Sequence, residues 1–512
     1  MRTFAAIDVG SYELTMKIYE ISARGRMKEI DCIRHSIELG TDTYNTGKIS
    51  LQRVDELCEV LREFRTIMET YQVDAYQAYG TSAIRETENN MIVLDLIKNR
   101  TGITVEVISN SEQRFLDYKS LATKAEEFRQ IIKQSTAILN IGGGSIQLSL
   151  FDKDTLITTQ NMRLGVLRLR DRLRTLQSRT NHYAELIAEI ANPQLVLFKK
   201  MYLKNREIKN LILMDDYVSY LMQNEAITHE TPGYLSGEEF LRIVGSLKEI
   251  PLSDFMKSMN ISVEKADLFY HSAVLIKNMI EVMDAETLWA PGVCLCDGIA
   301  YEYAQKEKLL KPQHDFDKDI LACAADMGRR YMCSNKRSDV LENISLSIFD
   351  AMKRVHGMSK RERLLLQLAA KLNDCGKYIS LMNVGECSYN IIMSTEIIGL
   401  SHLEREMVAN IVKYNRIPIT YDADAGGGPM LDQESFLKVA KLTAILRLAT
   451  GLDRSHRQKF RNIKAVLKDV ELIITVDTAD DITLEKGLIG KKAGFFEEVF
   501  SVKTVIKQKR RF

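Results

Sequence analysis

The sequence predicts an α/β protein of two related lobes, followed by a helical domain and a small α/β cap. Three observations lead there. An apolar strand running into a glycine turn and a second strand occurs twice, at Phe4–Ser11 and again at Ala137–Ser145. After about residue 310 the strand signals give way to long helical periodicities, and from about Ile463 alternation returns. The expected domains are therefore 1–125 and 126–308 for the lobes, 309–460 for the helical domain and 461–512 for the cap.

The elements follow in order. Phe4 to Val9 is one apolar run, Leu14, Met16 and Ile18 alternate with polar residues, and Ile30 and Ile33 mark a third strand. Val54, Leu57, Cys58, Leu61, Phe64 and Met68 form the buried stripe of a helix. A strand at Ala75–Ala78 runs into Gly80-Thr81-Ser82, which reads as a helix cap, and Thr104–Ile108 reads as a further strand. The second lobe repeats the pattern, with Leu148 and Leu150 after its turn. Helices are expected at Leu321–Tyr331, Val340–Val355, Arg361–Leu372, Leu403–Lys413 and Phe436–Leu448, with a glycine-rich loop at Ala425–Pro429. In the cap, Val470, Leu472, Ile474 and Val476 alternate, and Thr483–Leu484 and Val499–Val505 continue the strand signal.

Composition narrows the class. With 45% hydrophobic and 27% charged residues in 512, the chain is ordinary globular protein rather than disordered, collagenous or coiled-coil. A net charge of +1 supplies no field for nucleic acid. The basic tail of Lys503, Lys507, Lys509, Arg510 and Arg511 reads first as a solvated end and second as a contact for a polyanionic substrate. No apolar run approaches the roughly 18 residues that span a bilayer, and the N-terminus shows no signal-peptide pattern. The expectation is a cytoplasmic protein without a membrane partner. The eight cysteines have no metal or redox spacing and read as buried reduced thiols.

A glycine turn between two strands lets backbone N–H groups approach a phosphate without side-chain interference. Gly142-Gly143-Gly144-Ser145 has this form, and Gly10-Ser11 after Asp8 matches it in the first lobe. Arg85, one turn after Thr81-Ser82, would add a guanidinium beside a helix N-terminus.

Five segments carry a resemblance: Ile7–Ser11, Tyr79–Arg85 with Asn89, Val107–Gln113, Asn140–Ser145 and Leu164–Leu169. In order and spacing they resemble the exopolyphosphatase / guanosine pentaphosphate phosphohydrolase family, whose N-terminal half has the two-lobed acetate kinase–Hsp70–actin fold. Asp297-Gly298 falls where that family has a late Asp-Gly strand end. Ala369–Gly376 and Val412–Arg416 resemble its HD-related helical domain. The resemblance implies Mg²⁺-assisted release of a terminal phosphate from inorganic polyphosphate or guanosine penta- or tetraphosphate, and a homodimer. It places phosphate contacts at Gly10, Ser11, Arg85, Gly142, Gly143, Gly144, Ser145 and Arg168. The metal positions are Asp8, Asn140 and Gln147, and the general base falls at Gln113, beside Glu112.

The sequence departs from the family there. Residue 113 is an amide where the family has its base, and Asn140 and Gln147 replace acidic residues. An amide cannot take a proton near neutral pH and is a poorer Mg²⁺ ligand than a carboxylate. Asp8, Glu13 and Glu112 remain as carboxylates from which a displaced base or metal site could be built. Leu213–Tyr217 lacks the glycine of the family's second-lobe loop, which argues against a nucleotide-using kinase of the same superfold. In the HD-like part the His-Asp pair is Asn373-Asp374, Asn415 stands where the family has His, and Cys387 sits near another family His, so metal-dependent HD chemistry is not expected. His182, His271, His356, His402 and His456 read as surface or packed residues. Two readings remain: a hydrolase of weakened activity, and a binding sensor that keeps the phosphate cradle without the base.

Overall fold

Both glycine turns sit at the same place in two sheets of the same topology. The first sheet holds β1 (Arg2–Val9), β2 (Glu13–Ile21), β3 (Met27–Ser36), β4 (Ala75–Gly80) and β5 (Val105–Val107), in the order β3-β2-β1-β4-β5. The second holds β6 (Thr136–Ile141), β7 (Ile146–Asp152), β8 (Thr155–Met162), β9 (Asn210–Asp215), β10 (Tyr234–Ser236) and β11 (Thr287–Trp289), in the order β10-β11-β9-β6-β7-β8. Read from its far edge, β8-β7-β6-β9-β11 repeats the first sheet, with β10 added at the rim. The directions agree too: β1 is antiparallel to β2 and parallel to β4, and β6 is antiparallel to β7 and parallel to β9.

Register makes the repeat residue-specific. Asp8 faces Thr15 in one hairpin and Asn140 faces Gln147 in the other. On the parallel side Val9 pairs with Gly80, and Ile141 pairs with Asp215. Asp8 thus corresponds to Asn140, Gly10 to Gly142, and Gly80 to Asp215.

The computed structural model describes residues 2–22, 26–180, 182–215, 217–223, 231–247, 254, 257, 265–312, 314–419 and 431–509. The chain divides into two units, Met1–Asp315 and Phe316–Phe512. The first has the two-lobed actin-like fold that the turns predicted. Its helices include α1 (Leu39–Thr46), α2 (Leu51–Thr70), α3 (Ser82–Glu86), α4 (Asn110–Leu121), α5 (Val166–Leu173), α6 (Ala266–Met283) and α7 (Leu295–Lys306). Helix α2 starts where the Ser50 hydroxyl accepts the Arg53 N–H, and its predicted stripe is buried from Val54 to Phe64. Truncating fully buried Phe64 to alanine would cost about 3–5 kcal/mol.

Two local readings need correction. Asp297-Gly298 is not a strand end: Cys294-x-x-Asp297 forms a capping box, so both residues belong to the first turn of α7. Gly298 is required there, since a Cβ would sit 1.9 Å from the Leu116 carbonyl oxygen of α4. Thr81 does not cap α3 through its side chain, because its hydroxyl donates to the Val9 carbonyl instead.

The second unit contains α8 (Phe316–Arg330), α9 (Asn335–Ala351), α10 (Lys360–Leu372), α11 (Val384–Ser394), α12 (His402–Tyr414), α13 (Gln433–Leu452) and α14 (Gly490–Phe500). A sheet of β12 (Ile463–Lys468), β13 (Glu471–Asp477) and β14 (Lys503–Lys509) follows the order β12-β13-β14. Thr483–Leu484 opens a helix rather than a strand, because the Asp481 carboxylate accepts the Thr483 N–H at 2.9 Å and starts the turn. Val499 likewise lies in α14. Lys503, Lys507 and Lys509 are exposed on β14, while Arg510, Arg511 and the loop 425–429 lie outside the described residues. Among the described residues no helix is long and apolar enough to cross a membrane.

Candidate active site

The two turns are built alike and close on one another. Gly10 N–H donates to the Glu13 carbonyl at 3.1 Å, and Gly142 N–H to the Ser145 carbonyl at 3.0 Å. Behind each turn a helix start takes its carbonyls. The Ser11 oxygen accepts the Gly40 N–H of α1 at 2.7 Å, and the Gly142 and Gly143 oxygens accept the Val166 and Leu167 N–H groups of α5 at 3.1 and 3.0 Å. With the carbonyls held back, the Gly143 and Gly144 N–H groups donate to no backbone carbonyl among the described residues. That is the donor arrangement of an anion nest.

The turns touch. A Cβ on Gly143 would lie 3.0 Å from Ser11 Cβ, and one on Gly144 would lie 2.2 Å from both Ser82 Oγ and the Tyr44 hydroxyl. Tyr44 bridges Ser11 Oγ at 2.8 Å and Ser82 Oγ at 2.9 Å. Burial pushes its phenol pKa up, so it serves this bridge as a neutral hydroxyl.

An open cleft runs along these turns. It gathers most residues expected from the sequence: Asp8, Gly10, Ser11, Glu13, Gln113, Asn140, Gly142, Gly143, Gly144, Ser145 and Gln147. Three expected residues do not line it. Glu112 is turned about 100° from Gln113 on α4 and closes the capping box of that helix, accepting the Ser109 N–H at 2.9 Å. Arg85 donates to the Ile108 carbonyl at 2.7 Å and to Asn110 and Gln113, tying α3 to the start of α4. Arg168 lies over the Tyr44 ring, donates to the Gly144 carbonyl at 3.0 Å and pairs with Glu86 at 2.8 Å. Both arginines brace the walls; neither reaches into the cleft. Glu13 does line it, but its carboxylate is paired with Lys265 at 2.6 Å and Arg34 at 3.6 Å, which leaves it poorly placed as a displaced base.

Two carboxylates escaped the sequence reading. Asp117 lines the cleft from α4, four residues after Gln113 and so on the same helix face. Asn140 Nδ2 donates to Asp117 Oδ2 at 2.6 Å. The i,i+4 spacing was the available signal, hidden because the family motif ends at residue 113. Asp215, at the end of β9, accepts the Tyr217 N–H at 2.7 Å, the Val218 N–H, and the Ser272 hydroxyl from α6. Its carboxylate thus closes the turn after β9 and ties it to α6.

Asp8 and Asp117 supply carboxylates, and Asn140 and Gln147 supply amide oxygens, an all-oxygen set. Among the described residues Gln147 Oε1 is buried with no hydrogen-bond partner, and a carbonyl oxygen so placed suits a hard cation. Among the described residues no three His, Cys, Asp or Glu side chains converge as a protein-only metal site. The donors therefore fit a cation that takes the rest of its coordination from substrate phosphates. The histidines are packed or peripheral. His271 bonds the Tyr183 hydroxyl and the Asp267 carbonyl, and His356 the Phe349 carbonyl.

The profile of the Ppx/GppA phosphatase family matches residues 17–307, and that of its domain III matches residues 321–491. The guanosine-5'-triphosphate,3'-diphosphate pyrophosphatase of Photobacterium profundum is 18% identical over 478 residues, spanning 89% of this chain and 88% of that protein. Exopolyphosphatase 1 of Mycobacterium tuberculosis is 27% identical over 145 residues, 28% of this chain and 40% of that one. Among solved structures, an exopolyphosphatase from Cytophaga hutchinsonii superposes with a TM-score of 0.50 at 20% identity, covering 60% of this chain and 100% of its own.

Proposed function

The chain belongs to the Ppx/GppA phosphatase family, and from that premise we propose that it hydrolyses a terminal phosphoanhydride of polyphosphate or guanosine pentaphosphate through Asp117. The observation that carries this is the Asn140–Asp117 contact of 2.6 Å inside the cleft. With an amide at residue 113, Asp117 is the carboxylate on that face of α4 that can receive a proton from the attacking water. Asn140 orients it, and the Gly143 and Gly144 amides hold the terminal phosphate. When bound, Mg²⁺ would neutralise charge on the phosphate chain, held on the protein side by Asp8 and the oxygens of Asn140 and Gln147. A base displaced by one helical turn is expected to work below the family's usual rate.

The test is phosphate release from long-chain polyphosphate and from guanosine pentaphosphate with Mg²⁺ or Mn²⁺. Asp117→Asn is expected to lower release by about 10²-fold. Equal release by the variant overturns the assignment. The amide-rich cleft also favours a second reading, binding without turnover. Tight binding of either compound by a natural chain that releases no phosphate would establish it.

A further inference from the structure

Two free thiols meet at the start of α7, on the wall of the cleft. Cys294 immediately precedes the helix, is half-buried, and lines the cleft beside Thr15 and Leu295. Cys296, two residues on, is fully buried, and its thiol donates to the Thr15 carbonyl of β2 at 3.6 Å. The Cys294 thiol lies within hydrogen-bonding reach of it, and that contact, then burial, push the Cys296 thiol well above its ordinary pKa. Asp297 fixes the local backbone, accepting the Cys294 N–H at 2.8 Å and the Tyr19 hydroxyl at 2.9 Å.

Position divides the chemistry between the two sulfurs. A solute that enters the cleft meets Cys294, whereas Cys296 is sealed behind it and faces its neighbour's sulfur. A cation stands beside the outer sulfur. Burial works to lower the pKa of Lys17, yet the Cys294 sulfur, Asp297 at 3.1 Å and Glu29 at 2.9 Å together hold it raised. That ammonium is placed to stabilise the negative charge a sulfur carries as it attacks.

The span suits a bridge. Cα atoms two residues apart are at most about 7 Å from one another. The helical turn that begins at Leu295 shortens this, into the range of about 4.4–6.8 Å that a disulfide joins. A ring closed over one intervening residue is strained, and strained bridges are the readily reduced ones.

We propose that Cys294 and Cys296 form a reversible redox site, in which hydrogen peroxide entering the cleft converts the dithiol to a disulfide. The Cys294 sulfur attacks one peroxide oxygen, the O–O bond breaks, and Cys294 sulfenic acid and water are formed. The Cys296 sulfur then attacks the sulfenic sulfur, the S–O bond breaks, the hydroxyl leaves as water with the Cys296 proton, and the S–S bond closes. The dithiol is oxidised by two electrons and the peroxide is reduced to two waters. Two glutathione thiols reverse the change and become glutathione disulfide. The bridge draws the outer sulfur off the cleft wall, next to the β-hairpin on which Asp8 faces Thr15.

Peroxide treatment of the reduced full chain, followed by alkylation, digestion and mass spectrometry, tests this. The peptide that carries both cysteines is expected to lose two hydrogens and to resist alkylation until glutathione is added. Dimedone, which captures sulfenic acid, is expected to label Cys294 in Cys296→Ala and to leave Cys296 unlabelled in Cys294→Ala. Recovery of both thiols alkylated after peroxide overturns the site, as does a bridge from either one to any other cysteine. Labelling of Cys296 in Cys294→Ala would overturn the order of attack, and a bridge that glutathione leaves intact would overturn reversibility. Cys294→Ala changes only the half-buried position, so it decides the order of attack should Cys296→Ala fail to fold. The readout is the mass of one peptide, whereas a natural chain that releases no phosphate bears only on the cleft chemistry.

Discussion

The two glycine turns share a backbone and differ in almost every group attached to it. Asp8 on one strand corresponds to Asn140 on the other, Thr15 to Gln147, Glu13 to Ser145 and Gly80 to Asp215. Hydrogen bonds close both turns at nearly the same length, and a helix start holds the carbonyls of each. Backbone geometry is thus preserved where chemistry has diverged, because the turn needs only its amides and its packing, whereas proton transfer needs a particular side chain. In both turns the two amides after the first glycine donate to no backbone carbonyl among the described residues, and the first turn alone retains its strand carboxylate.

The comparison is broken most forcefully by making the chemistry of the second lobe acidic again. The Gln113→Glu, Asn140→Asp double variant is expected to raise phosphate release by about 10²-fold or more, the usual effect of a positioned general base. No increase would mean that Asp117, not residue 113, governs the step, or that the cleft only binds.

The glycines themselves come next. A Cβ on Gly10 would meet the Glu13 carbonyl oxygen at 2.5 Å, while the nearest atom to one on Gly142 is 3.7 Å away. Gly10→Ala should therefore destabilise by about 1–3 kcal/mol and Gly142→Ala by about 0.5 kcal/mol or less, read from urea unfolding midpoints. Equal effects would show that the turns are alike in packing as well as in hydrogen bonding.

Asp215 sharpens the contrast with Gly80. Replacing it by alanine leaves the Tyr217 and Val218 N–H groups and the Ser272 hydroxyl without their acceptor, at a cost of about 1–3 kcal/mol. If the second-lobe donors can then take an anion, phosphate should recover part of the lost thermal stability.

The smallest effect joins the two lobes. Arg170 of α5 donates to Glu38 through two nitrogens, at 2.9 and 3.0 Å, and this hydrogen bonding holds the Glu38 pKa below its ordinary value. A depressed carboxylate stabilises the fold above its unfolded pKa, and the contribution disappears as pH falls through the folded one. With the pair partly exposed, Glu38→Gln should cost about 0.5–1 kcal/mol at pH 7 and progressively less as pH falls below the ordinary carboxylate range, measured by unfolding across that range.

The repeat, the glycine turns, the helical second half and the amides at family carboxylate positions were all legible in the residues. They are local properties: strand alternation, a run of glycines, helical spacing and residue type. The roles of Arg85, Arg168 and Glu112 were not, since a charged side chain near a motif can point into a cleft or brace the wall behind it, and only the hydrogen-bond partners decide. Asp297-Gly298 misled for a related reason. The same four residues, Cys294 to Asp297, can end a strand or cap a helix, and the Leu116 carbonyl pressed against Gly298 selects the helix.

What the sequence by itself determined is the pair of turns, because a glycine turn between strands is backbone chemistry and glycine spacing records it. Only the tertiary structure decided which acid stands beside them. Asp117 reaches the cleft because α4 packs with that face toward Asn140, and Glu13 is taken up by Lys265 from 252 residues away. Such pairings depend on where distant elements meet, and no local pattern encodes them.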